Sequence, residues 1–160
     1  QVGREQEARE MADSIERRLA AIRAAVARRP RPNTLLVFGR EPGTLRSIRA
    51  SGGFGFLHDL LETAGGVDAM RDVRRESVEL STEMVLTRAP EVIIELRYGK
   101  AAQSERPEDQ LRAWRTLPSL PAVRGERVYL LTGDEFVVPG PKVADVAERF
   151  ARVLHPGALP

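Results

Sequence analysis

The chain contains no cysteine. Disulfide frameworks, thiolate metal sites and cysteine nucleophiles are therefore excluded, while the compartment stays open. Histidine is nearly as scarce, with His58 and His155 the whole supply. Neither stands in a pattern that would gather a serine nucleophile and a carboxylate, so a hydrolytic triad has no support. Lysine occurs twice, at Lys100 and Lys142. No apolar run approaches the length of a bilayer span, and no leader pattern opens the chain.

What is present is arginine, acid and a moderate apolar content. Lys and Arg total 25 against 23 acidic residues, for a net charge of +2. The basic residues are dispersed among the acids and form no dense block, so a nucleic-acid partner is not expected. A length of 160 residues suffices for one proper core, and one domain is expected.

Gln1 to Pro30 reads as one long helix. Ala8, Met11, Ile15, Leu19, Ile22 and Val26 recur at steps of three and four, a single apolar stripe. Pro30 and Pro32 end it. Thr34–Phe38, Val92–Leu96 and Val128–Leu131 are short apolar runs of the kind that form strands covered on both faces. Between them lie helical patterns. One carries Phe56, Leu57, Leu60 and Leu61 to Gly65-Gly66, one follows Ser81 to Arg88, and one runs from Asp109 to Thr116. Val143 to Leu154 is a closing helix stopped by Pro156, and Val73 to Leu80 reads as extended. Residues 39 to 53 read as a long loop. Alternating strands and helices predict an α/β fold of three layers, its sheet mostly parallel, in the Rossmann-like manner.

Three groups of residues could carry chemistry. His58 and Glu62 sit one helical turn apart and could face one metal ion, but two ligands without a third fall short of a metal site. Ser51-Gly52-Gly53-Phe54-Gly55-Phe56 is glycine-rich and opens a helix. It lacks dinucleotide spacing and a phosphate-binding lysine, so its glycines read as marks of close backbone approach. The third group is positional, because ligands of open parallel sheets gather at the carboxyl ends of the strands. Those ends supply Arg40, then Arg97 and Tyr98, then Asp134 and Phe136. Arginine forks suit carboxylates and phosphates, and aromatic faces suit flat organic groups. No catalytic residue, cofactor or resident metal is expected.

Several stretches together are familiar. Phe54 to Leu61 followed by Ala64-Gly65-Gly66, Ser81-Thr82-Glu83 followed by Ala89 to Ile94, Trp114 to Pro118, Pro121 to Tyr129 and Pro139-Gly140-Pro141 occur in a telling order. In that order the chain resembles the C-terminal lobe of periplasmic substrate-binding proteins of the cobalamin and ferric-siderophore type, which are built around one long helix. The resemblance implies that residues 1–30 are the inter-lobe helix, that residues 31–160 are one α/β ligand-binding lobe, and that a first lobe is absent. It implies a metal chelate as ligand (a ferric siderophore, haem or cobalamin) and an ABC permease as partner, docked through Glu83. It implies a periplasmic location, or an extracytoplasmic one with a membrane anchor. Arg40, Arg97, Tyr98, Asp134 and Phe136 would contact the ligand, the arginines favouring an anionic one. A helix stripe left bare by a missing lobe would invite a homodimer through the Met11 to Val26 face. The rival readings are a lone lobe serving as a dimerising interaction module, and a nucleotide-binding α/β enzyme.

Overall fold

The computed structural model describes residues 2–160, so the expectation of a helix beginning at Gln1 lies outside the described residues at that one position. A 25-residue helix, α1 (Val2–Val26), precedes β1 (Asn33–Gly39), β2 (Ile48–Ser51), α2 (Phe56–Thr63), β3 (Val67–Asp68) and β4 (Ser77–Leu80). Then follow α3 (Thr82–Arg88), β5 (Val92–Arg97), α4 (Ala101–Ser104), α5 (Pro107–Trp114), α6 (Pro121–Arg124) and β6 (Val128–Thr132). A 3₁₀ turn (Asp134–Phe136) leads into α7 (Val143–Leu154).

The strand order is β4-β2-β1-β5-β6, with β3 alongside the start of β1. The β1–β5, β5–β6 and β1–β3 ladders are parallel. The three predicted strands form this parallel half. The segment expected to be a loop instead contains β2, which pairs antiparallel with both β1 and β4. Its four residues, Ile48-Arg49-Ala50-Ser51, carry too short an alternation to stand out among the turn residues around them.

Side chains on a strand alternate between faces, and here each face has its own helices. Leu36, Ile94 and Leu96 pack with Leu19, Ile22 and Val26 of α1, Leu61 of α2, and Phe150 and Leu154 of α7. Leu35, Val37, Ile48 and Ile93 pack on the other side with Val85 of α3, Trp114 of α5 and Ala122 of α6. The second half of the α1 stripe is thus spent within the chain's own core. This corrects the expected dimer face: Leu19, Ile22 and Val26 are buried, Ile15 is half-buried, and Met11 alone of the large residues named in that face is exposed.

Helix ends are tied down by polar contacts that the apolar pattern does not reveal. After α2 the amide of Gly66 donates to Leu61 O at 3.1 Å and that of Gly65 to Glu62 O at 3.1 Å. Gly65 has φ +88°, the left-handed residue this helix ending requires. His155, just past the end of α7, is buried there, and its Nε2–H donates to Gly65 O at 3.0 Å, joining the ends of two helices. Arg31 donates to Glu62 O and Gly66 O, and Arg127 to Val153 O and Leu154 O. Guanidinium groups at helix carboxyl ends account for part of the arginine content. Among the described residues no helix is long and apolar enough to cross a membrane.

Candidate functional site

The parallel strands β1, β5 and β6 end at the same edge of the sheet, beside the N-terminus of α2. There a pocket of about 210 Å³ opens, lined by Phe38, Phe54, Phe56, Leu57, Tyr98 and Phe136 among others. Four of the chain's five phenylalanines lie in this one wall. Glu76 at the rim is the one charged residue of the lining. Phe54 is 61% exposed, and Val138, next in sequence to the lining residue Val137, is 67% exposed.

The glycine-rich segment forms this pocket's shoulder. A side chain at Gly52 would run into Arg75 O, and one at Gly53 into the main chain of Arg71. Their amides donate to Glu76 O and Val73 O. The glycines serve close backbone approach, and this packing sets Phe54 and Phe56 at the mouth of the pocket.

Of the five ligand-contact residues expected from sequence, Tyr98 and Phe136 line the pocket. Phe136 forms its floor, 1% exposed, with Phe150 stacked at 6.0 Å between ring centroids and the Arg149 guanidinium 4.8 Å from its own centroid. Asp134 is exposed and accepts a hydrogen bond from the Gly99 amide at 3.2 Å, joining the loops after β5 and β6. The two arginines lie beneath the surface. Arg40, its side chain 3% exposed, donates from Nε to Glu95 Oε1 at 2.5 Å and from a terminal nitrogen to Thr44 O at 2.8 Å. Arg97 donates to Ala102 O at 2.7 Å and to Glu105 O. Glu95 also accepts from Trp114 Nε1 at 3.4 Å.

Strand alternation explains the separation. Ile93, Glu95 and Arg97 point to the face of Trp114, whereas Ile94, Leu96 and Tyr98 point to the face of the pocket. Sequence reasoning placed adjacent residues in one site where a period of two divides them. The same rule, applied forward from Leu36, would have found Phe38, and the aromatic pair Phe54 and Phe56 flanking Gly55 was a further available signal.

His58 faces Asp68 rather than a metal. Its Nδ1 lies 2.9 Å from Asp68 Oδ2, and its Nε2 lies 3.9 Å from Glu62. Burial raises the Asp68 carboxyl above its ordinary value, with the His58 and Met70 amide contacts partly offsetting the effect. Among the described residues no group of three or more His, Asp or Glu side chains is arranged to hold a metal ion.

With this geometry in place, comparison decides the family. The profile described as periplasmic binding protein matches residues 1–135. The chain belongs to the periplasmic binding protein family. The resemblance seen in the sequence is thereby borne out. Among solved structures, this periplasmic binding protein is similar to an ABC-type Fe3+-hydroxamate transport protein from Saccharomonospora viridis, at 26% identity over 96% of this chain and 51% of that one, with a TM-score of 0.80. It is also similar to Helicobacter pylori CeuE with Ni(II) bound, at 20% identity, covering 94% and 46% of the respective chains, TM-score 0.76. The periplasmic heme-binding protein RhuT from Roseiflexus sp. RS-1 matches at 22% identity over 94% and 57%, TM-score 0.68. The chain therefore spans about half the length of these structures. A search of curated protein sequences finds no significant match.

Proposed function

We propose that this chain is one lobe of the solute-binding component of an ABC importer, and that its aromatic pocket receives part of a metal chelate of the ferric-siderophore, haem or cobalamin kind. The observation that carries the reading is the aromatic wall at the carboxyl ends of the parallel strands, the position where such sheets hold ligands. The cavity is smaller than the roughly 300–1,000 Å³ that encloses a drug-sized ligand, which suits a surface covering one side of a chelate. Tyr98 and Phe136 contact the chelate in this reading, joined by Phe38, Phe54 and Phe56. Asp134 ties together the loops after β5 and β6, which carry Tyr98 and Phe136, and Arg40 and Arg97 brace the strand ends from beneath. The pocket is assigned binding and no chemistry.

Glu83 is the proposed contact with the permease. It is exposed in the first turn of α3, whose N-cap Ser81 accepts from the Met84 amide at 3.2 Å. Exposed Met84 and Leu86 on the same helix support a protein-facing surface. An extracytoplasmic location belongs to the same reading.

The test is a titration of the chain with ferric siderophores, haem and cobalamin, read by quenching of Trp114. That residue is fully buried and outside the pocket lining, so quenching reports energy transfer to a bound chromophore rather than contact. Saturable quenching by one class supports the reading. Binding of none of them by a folded chain would contradict it.

A further inference from the structure

Two segments meet at the mouth of the aromatic pocket: α2, which contributes Phe56 and Leu57, and the stretch 69–76, which ends in Glu76. The second segment holds the glycine shoulder, with Val73 O accepting from the Gly53 amide at 2.7 Å and Glu76 O from the Gly52 amide at 3.2 Å. One buried carboxyl is bonded to both segments. Asp68 Oδ2 lies 2.9 Å from Nδ1 of His58, the residue of α2 next to Leu57, and Asp68 Oδ1 accepts from the Met70 amide at 2.8 Å. Met70 O in turn accepts from the Val73 amide at 3.0 Å, so the chain of bonds runs from α2 to the glycines and on to Phe54. The Asp68 side chain is 0% exposed and that of His58 15%, which leaves water a poor competitor for the contact. Arg88 of α3 secures the far side of the stretch through Ala69 O and Asp72. Toward α2, the His58–Asp68 contact is the side-chain hydrogen bond that joins it.

The proton count decides whether this contact holds. A carboxylate accepts from an Nδ1–H, and a protonated carboxyl donates to a bare Nδ1, so the bond survives while the two atoms share one proton. A second proton puts a hydrogen on each, and two donors then face each other. Oδ1 is already engaged by the Met70 amide and offers His58 no ready substitute. Burial raises the Asp68 carboxyl above its ordinary value, which brings the second proton toward milder acid. The other charges nearby do not take over the tie. Glu62, one turn along α2, lies 3.9 Å from His58 Nε2 but is engaged by Arg31 at 2.7 Å and shares a groove with Arg23 of α1. Asp59 is exposed on the same helix, and Arg71 donates to the main-chain oxygen of Asp68 at 3.4 Å.

We propose that His58 and Asp68 are the positioning pair of the pocket's mouth, a tie that is made at neutral pH, is let go in acid, and so weakens the hold on a bound ligand as the pH falls. The ligand half of this inference rests on the binding-protein reading. The tie itself is read without ligand.

Hydrogen exchange of the Gly53 amide, corrected for its intrinsic rate, is followed by NMR in the unaltered chain, in His58→Asn and in His58→Leu. Asparagine places an amide where Nδ1 stood, able to donate to a carboxylate or accept from a protonated carboxyl, so its tie should ignore pH. Between about pH 7 and about pH 4.5 the protection of Gly53 should fall about tenfold in the unaltered chain, the worth of one hydrogen bond, and stay level in His58→Asn. In His58→Leu it should be low throughout. Affinities for a ferric trihydroxamate and for cyanocobalamin at the same two pH values then test the mouth: the unaltered chain should lose several-fold in acid where His58→Asn does not. Parallel pH dependence of Gly53 protection in the unaltered chain and His58→Asn would overturn the inference, and so would equal acid losses of affinity. Absence of binding of either probe at both pH values would count against the binding-protein reading, while the exchange data would still decide the tie.

Discussion

The two faces of β5 carry opposite kinds of residue at the same height in the sheet. On one face Glu95 and Arg97 are buried with Arg40 and Trp114, charges placed where water is scarce. On the other, Tyr98 stands with Phe38 and Phe54 at an open pocket, aromatic surface placed where water is plentiful. Each arrangement is costly taken alone, since buried ions lose hydration and exposed aromatics gain nothing from it. The contrast teaches a division of labour: the charged face fixes the shape of the strand ends, and the aromatic face carries the surface that the proposed ligand would cover.

The largest effect is expected from breaking the charged face. Glu95→Ala removes the carboxylate that the buried Arg40 hydrogen-bonds, leaving Glu105 at 3.7 Å as its remaining acid, and should cost about 3 kcal/mol, measured by urea unfolding. A loss below about 1 kcal/mol would show that the pair is far better solvated than its 3% side-chain exposure indicates.

On the aromatic face two phenylalanines should behave differently. Phe136 is a floor residue, and Phe136→Ala should cost about 3 kcal/mol or more in the same unfolding assay. Phe54 stands in solvent, and Phe54→Ala should change stability by less than about 0.5 kcal/mol while weakening ligand binding. Equal stability losses at the two positions would erase the distinction between floor and mouth.

Asp68 sharpens the comparison, being a buried carboxyl paired with a histidine instead of an arginine. Its raised pKa means that the folded chain binds the proton more tightly than the unfolded chain does. Its stabilising contribution is therefore complete below the ordinary carboxylate value near about pH 4 and is lost as the pH rises through the raised value. Asp68→Asn removes that slope, so unfolding curves of the two chains between about pH 3.5 and 7 should differ in pH dependence, the unaltered chain losing stability relative to the variant as pH climbs. Parallel curves would contradict the assignment.

The smallest stability effect belongs to Glu83. Glu83→Ala should cost a few tenths of a kcal/mol, the worth of a first-turn carboxylate. Ligand affinity should be unchanged while uptake through the permease falls. Normal uptake would remove Glu83 from the docking surface.

Much of this architecture was legible in the sequence. The apolar runs at Thr34–Phe38, Val92–Leu96 and Val128–Leu131 became β1, β5 and β6 because continuous burial on both faces leaves no other pattern. Ser81 and Gly65 bounded their helices as their chemistry requires. The short strands β2 and β3 escaped because four and two residues carry no period. Of the residues expected at the strand ends, Tyr98 and Phe136 line the pocket, whereas Arg40 and Arg97 are buried in polar contacts, a burial that reading charge as a sign of exposure does not anticipate. Glu95, in the middle of an apolar run, was the visible clue that a cation must lie buried beside it.

The central claim is that the aromatic face binds and the charged face supports. Its most direct test is the affinity of Phe54→Ala for whichever chelate the unaltered chain binds, measured alongside the stability of the same sample. The account predicts an affinity loss of about tenfold, the scale of one well-placed aromatic contact, at unchanged stability. Unchanged affinity in a stable variant would place the ligand somewhere other than this pocket and contradict the account.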